Sequence, residues 1–184
     1  MKQIALAPIW QEATRRIALL PIYKGSHRGV DANEVGVLGE VAAEEWMKSA
    51  GISYVDRKQT THDYLLSATS ETLEIKTKDR TVLPRPHYEC SVPLYNHEHQ
   101  RPAWYLFVSL LRVDGPKDIT KFTRAFIVGA CQRDDLKNGV VWKAGDTDTN
   151  GTTFWTDCIN VKIGDLTDTQ KLMATWNKRS NGNG

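Results

Sequence analysis

Residues 104–111 read WYLFVSLL, a nearly unbroken apolar run without Gly or Pro. A strand of this composition has no polar side to give to water, so it belongs in the middle of a sheet covered on both faces. Residues 124–129, RAFIVG, resemble it. A chain of 184 residues is long enough for one such core and short for two. The expected organisation is therefore a single domain over residues 1–176, followed by a polar, Gly-rich tail over 177–184 that is predicted to be disordered.

Other elements are arranged around those strands. Pro8 suits the first turn of a helix reaching about Leu20, where Pro21 ends it. Residues 24–33, KGSHRGVDAN, read as a loop, with Asp31 or Asn33 as the cap of a second helix that runs to about Ser49, just before Gly51. At ~100° per residue, Val35, Leu38, Ala42, Trp46 and Ser49 share one stripe of that helix, whereas Glu40 lies off it beside Gly36 and Ala43. Strand patterns follow at 52–55, 64–68, 73–77 and 88–92. Residues 134–138 suggest a short helix, 140–163 a hairpin, and 168–176 a last helix.

The net charge of +2 excludes little, but its distribution is uneven. Lys2, Arg15, Arg16, Lys24 and Arg28 oppose only Glu12 before residue 30, and Lys76, Lys78, Arg80 and Arg85 oppose only Asp79 between 76 and 88. Residues 131–170 carry four basic groups against seven aspartates. A polyanion-binding face with an acidic back produces this pattern, as does ordinary solvated charge. Three cysteines without close spacing, Cys90, Cys131 and Cys158, point to neither a disulfide framework nor a zinc site. The absence of a signal-peptide pattern or a long apolar run predicts a soluble intracellular protein with no membrane partner.

Chemistry concentrates in HDYLLSATSETLEIKTK, residues 62–78. Folded as a hairpin around its polar turn, this stretch brings Asp63 back toward Glu74 and Lys76, with the register open by about one residue. Glu74 and Lys76, two apart on a strand, share a face, while Ile75 points to the other. Two converging carboxylates supply the hard oxygen ligands that Mg²⁺ prefers, with coordination positions left for water and a phosphate. An adjacent ammonium can stabilise developing negative charge.

The segments GVLGEVAAEEW (36–46), HDYLL (62–66) and LEIKTK (73–78), in that order, resemble the PD-(D/E)XK nucleases, the restriction-endonuclease-like superfamily, and more specifically its small phage-encoded members. His62 stands where the family's Pro is expected. The resemblance spans about a quarter of the chain. It implies an α/β fold with a restriction-endonuclease-like core, a mixed central β-sheet flanked by α-helices. It also implies a Mg²⁺-dependent deoxyribonuclease, with Mn²⁺ as a substitute, in which Asp63, Glu74, the main-chain carbonyl of Ile75 and the helix residue Glu40 hold the metal and Lys76 is the catalytic lysine. DNA is then the partner, a homodimer is one admissible assembly, and the setting is the cytoplasm of a bacterial host carrying the phage. Arg15, Arg16, Lys24, His27, Arg28, Lys78, Arg80 and Arg85, on segments flanking the site, are candidate phosphate contacts. With little length left for a target-recognition domain, structure- or end-directed cutting is expected over reading of a long site, whether as an endonuclease or an exonuclease. The alternative is a noncatalytic nucleic-acid-binding or inhibitory protein on the same fold.

Weaker signals have simpler explanations. DTDTNG, residues 146–151, matches half of an EF-hand loop, but strand-like flanks favour an Asp- and Gly-rich turn. His87, His97 and His99, with Glu98, lack the spacing of a transition-metal site. Tyr88, Tyr95, Trp142 and Trp155 can stack on bases, though core packing accounts for most aromatics.

Overall fold

In chain order the elements are β1 (Lys2–Ala5), α1 (Trp10–Ala18), α2 (Gly29–Ser49), β2 (Tyr54–Gln59), β3 (His62–Leu66), β4 (Thr72–Arg80), β5 (Glu89–Pro93), β6 (Trp104–Arg112), β7 (Phe122–Gln132), β8 (Val140–Trp142), β9 (Cys158–Lys162) and α3 (Thr169–Trp176). The computed structural model describes residues 1–19, 29–59, 62–95, 100–115, 119–148 and 151–178.

The apolar strands are central, as their composition requires. Six strands form one sheet in the order β1-β7-β6-β4-β3-β2, in which β4 and β6 are parallel and every other pair antiparallel. The sheet is therefore mixed. Along β6, Trp104, Leu106, Val108 and Leu110 enter one core and Tyr105 and Phe107 the other. Each strand residue alternates faces, so a strand apolar at every position must be covered twice.

The two covers differ. The helices α1, α2 and α3 pack on one face, joined by Leu38, Ala42 and Trp46 of α2 and Leu172 and Trp176 of α3. Trp176 meets Trp46 and Trp104 edge to face, with ring centroids 5.9 and 5.6 Å apart, and truncating such a buried ring to Ala costs about 3–5 kcal/mol. The other face is covered by a second, three-stranded antiparallel sheet, β5-β9-β8, through Cys90, Val92 and Ile159. Residues 81–103, which connect the parallel strands β4 and β6, carry β5 of that second sheet. The predicted hairpin over 140–163 is β8 and β9.

Several boundaries move. β1 pairs with β7, Lys2 opposite Ile127 and Ala5 opposite Arg124; only Ile4 of its four residues is buried, so it carries no alternation to read. Pro8 lies in a short 3₁₀ turn ahead of α1. The second helix starts at Gly29, so Asp31 and Asn33 lie inside it and not at its cap position, and residues 29–33 are helical instead of loop. Asp168 does cap α3, accepting from Gln170 N at 2.8 Å and Lys171 N at 3.0 Å. Tail residues 179–184 lie outside the described residues. Among the described residues no helix is long and apolar enough to cross a membrane.

Candidate active site

The site lies where β3 leaves β4. Their pairing is Leu65 with Thr72 and Tyr64 with Leu73, whereas β4 pairs with β6 from Leu73 through Arg80. Beyond Leu73, the edge of β4 facing β3 has no strand neighbour among the described residues. Asp63 takes over at that point: its Oδ2 accepts the Ile75 N–H at 2.8 Å, a bond that a ladder partner would otherwise make. In an extended strand the N–H and C=O of one residue point the same way, so the Ile75 carbonyl also faces Asp63. The helix α2 crosses β4 at this notch. Gly39 permits the crossing, because a Cβ there would fall 1.9 Å from Thr77 Oγ1.

Two further carboxylates, Glu74 and Glu40, act on Asp63 through their charge. Glu74 aligns with Tyr105 on the face toward the small sheet and is only 4% exposed. The Asp63 carboxyl is pushed up to about 8 by burial first, then by the charges of Glu74 and Glu40. Like charges gathered in a dry site disfavour ionisation of at least one member. Glu40 comes from α2 and shares a cavity of about 470 Å³ with Ile75, Lys76 and Lys78. The hairpin expectation is met, with register Tyr64 to Leu73.

Lys76 Nζ donates to Glu74 Oε1 at 2.7 Å and to Gln100 Oε1 at 2.8 Å. The second oxygen, Glu74 Oε2, is buried with no hydrogen-bond partner. A buried carboxylate oxygen without a donor is costly unless something else binds it. Among the described residues no three His, Cys, Asp or Glu side chains form a ready-made cage for a metal. Mg²⁺ asks for less, since it binds through one or two carboxylates and keeps several waters. Asp63 and Glu74, with an unbonded oxygen and an excess of negative charge, fit that requirement.

Gln100 escaped the sequence reading because it sits in a polar stretch with no periodicity. Only its position before β6, parallel to β4, brings it to Lys76.

The predicted phosphate contacts separate into groups. Arg16 is committed elsewhere, donating to Glu44 through both terminal nitrogens at 2.6 and 2.7 Å and to Glu12 at 2.7 Å. Tyr64 OH also donates to Glu44, at 2.8 Å. These partners hold the Glu44 carboxyl below its ordinary value despite burial. Arg15 is exposed and paired with Glu12. Arg80 donates to the Glu89 carbonyl at 2.7 Å and to Ser109, and lies over the Tyr88 ring, so it braces β5 against β4. Arg85 is exposed on the loop before β5. Among the described members of the set, Lys78 alone lines the cavity. Lys24, His27 and Arg28 lie outside the described residues.

The acidic loop is a turn. Asp146 accepts from Lys143 N, Asp148 from Thr152 N, and Asp157 from Ala144 N and Lys143 Nζ, so these carboxylates bind the turn's own backbone and a lysine. His87 packs against Tyr88, and His97, Glu98 and His99 lie outside the described residues. All three cysteines are buried and form no disulfide. No protein family and no curated protein matches this chain.

Proposed function

We propose that the protein is a Mg²⁺-dependent nuclease that hydrolyses phosphodiester bonds in DNA. Asp63, Glu74, the Ile75 carbonyl and Glu40 would hold the ion, as the resemblance to PD-(D/E)XK nucleases implies, on a restriction-endonuclease-like core. The observation that carries this proposal is the buried, unbonded Glu74 oxygen beside Asp63, with Lys76 on the same carboxylate. The order α2, β2, β3, β4, with one acid on the helix and the others on the last two strands, supports the same conclusion.

When bound, Mg²⁺ supplies Lewis acidity and positive charge at a phosphoryl group. The chain's own groups set the rest. Asp63, whose Oδ2 accepts the Ile75 N–H and whose carboxyl is pushed up by burial and by Glu74, would serve as a metal ligand. Lys76, fixed between Glu74 and Gln100, keeps its ammonium where negative charge develops. Gln100 Oε1 accepts a hydrogen bond from that ammonium and so orients Lys76. The proposed cutting is directed by DNA structure or by an end and not by a long site.

Linear, circular and branched DNA incubated with the purified chain and Mg²⁺ or Mn²⁺ test the proposal. Cleavage of at least one form, lost in Asp63→Ala and Glu74→Ala, is the expected result. If every form stays intact while calorimetry registers metal binding, the protein is a noncatalytic nucleic-acid-binding or inhibitory protein instead.

A further inference from the structure

The cavity that Glu40 and Lys76 share with the carboxylate site extends beyond them. It runs along the open edge of β4 to Asp79, under the start of α2, and ends against β5 and residues 152–155 of the β8–β9 turn. We propose that this cavity binds one unpaired nucleotide of a DNA strand, its phosphate held by Lys78 and its base stacked on Trp155 at the rim. The choice of DNA rests on the nuclease proposal above; the pocket rests on the following geometry.

Size sets the class of ligand. About 470 Å³ lies within the range of small-molecule pockets and accommodates a single nucleotide. Walls of helix, strand and turn exclude a stacked duplex, so a strand can enter only where a base is already unpaired or is extruded.

Charge sets the phosphate position. Lys76, Lys78 and Arg80 alternate along one face of β4. Lys76 is engaged by Glu74 and Gln100, and Arg80 by Glu89 and Ser109. Lys78 donates no hydrogen bond and makes no ion pair among the described residues, although it lines the cavity. Burial and the charge of Arg80 already lower its pKa, so an incoming anion would relieve an unfavourable position. Two residues along a strand separate Lys78 from Lys76 by roughly 6.6 Å, about one backbone repeat of an extended nucleic acid strand. A phosphate at Lys78 therefore places its neighbour near Lys76 and the carboxylates.

The rim supplies the base contact. Trp155 is 50% exposed and Tyr95 44%, and their rings meet at 5.8 Å. The adjacent Phe154 turns inward and stacks on Trp142 at 5.2 Å and 15°. Backbone bonds from Gly145 N to Phe154 O and from Phe154 N to Asp146 O brace the turn. The exposed ring is thus presented from a segment whose neighbouring residue is hydrogen-bonded and stacked. Stacking is indifferent to base identity, so the pocket selects strand state and not sequence.

Fluorescence anisotropy with a labelled single-stranded 12-mer and a blunt duplex of equal length tests this, in EDTA so that nothing is cut. The full chain should prefer the single strand. Trp155→Ala and Lys78→Met should each weaken it by roughly 10-fold, and Trp155→Phe should restore most of the loss. Equal affinity for the two DNAs, or unchanged single-strand binding in both variants, overturns the pocket. If wild type cuts DNA with Mg²⁺ but the variants bind normally, the pocket fails and the nuclease stands. Preferential single-strand binding without any cleavage leaves the pocket and removes the nuclease.

Discussion

Glu40 and Glu44 are one turn apart on α2 and project toward the same strand, β3, yet they join two opposite kinds of site. Glu44 accepts from both terminal nitrogens of Arg16 and from Tyr64 OH, so its charge is neutralised and its carboxyl held low. Around the nearby pair of Asp63 and Glu74 the excess runs the other way: Glu74 and Glu40 raise the Asp63 carboxyl, Lys76 reaches one Glu74 oxygen, and Glu74 Oε2 is buried with no hydrogen-bond partner among the described residues. A satisfied carboxylate supports the fold. A buried carboxylate oxygen that lacks a donor is what the proposed metal site requires. Sequence, which shows only two glutamates four residues apart on the helix, does not display this contrast.

The comparison breaks first at activity. Lys76→Ala should lower DNA cleavage by about 10²–10³-fold while metal binding, followed by calorimetry, persists. An unimpaired rate would remove Lys76 from the chemistry. Glu44→Gln should leave the rate per folded molecule within a few-fold of wild type.

Stability should respond in the reverse order. Arg16→Ala leaves Glu44 buried without its main partner and should cost about 3 kcal/mol, seen as a Tm lower by about 6–12 °C. Asp63→Asn, which removes a repelled charge, should leave the metal-free Tm unchanged or higher. Comparable losses in both variants would mean that the two sites are not energetically distinct.

Divalent ions should sharpen the contrast. At a concentration near 100 times Kd, Mg²⁺ should stabilise the wild type by about 2.7 kcal/mol, visible as a higher Tm. Asp63→Asn should lose that shift and Glu44→Gln should keep it. A shift retained in Asp63→Asn places the ion elsewhere.

The smallest effect expected is a pair of opposite pH slopes. Asp63 has its folded value raised from 3.8 to about 8, so the metal-free folded state binds more protons than the unfolded one between those values. Stability should therefore fall as pH rises from about 4 to 8, and Asp63→Asn should flatten this. Glu44 is lowered from 4.5, so its contribution is present above that value and lost as pH falls below it. Urea titrations at a series of pH values separate the two; a rise in stability from pH 5 to 8 in metal-free wild type contradicts the assignment to Asp63.

Much of this was legible in advance. The run 104–111 placed β6 at the centre because a strand apolar at every position has only one stable environment. The polar turn between 62–66 and 73–78 brought Asp63 to Glu74 because antiparallel pairing is local. Arg16 shows the opposite: a basic residue on a helix reads as a phosphate contact until Glu44, 28 positions away, is packed against it. β1 was obscure for a different reason, since a four-residue strand with one buried position carries too little alternation to register.

The sequence by itself determined a central strand covered on both faces and the local hairpin that pairs an acid with an acid and a lysine, since both follow from periodicity within a few residues. Tertiary structure alone decided which charges are satisfied, that a second sheet packs on the far face, that Gln100 meets Lys76, and that Lys78 and Trp155 line one cavity. Those depend on contacts between segments far apart in the chain, where desolvation and partner geometry, not residue type, set what each group can do.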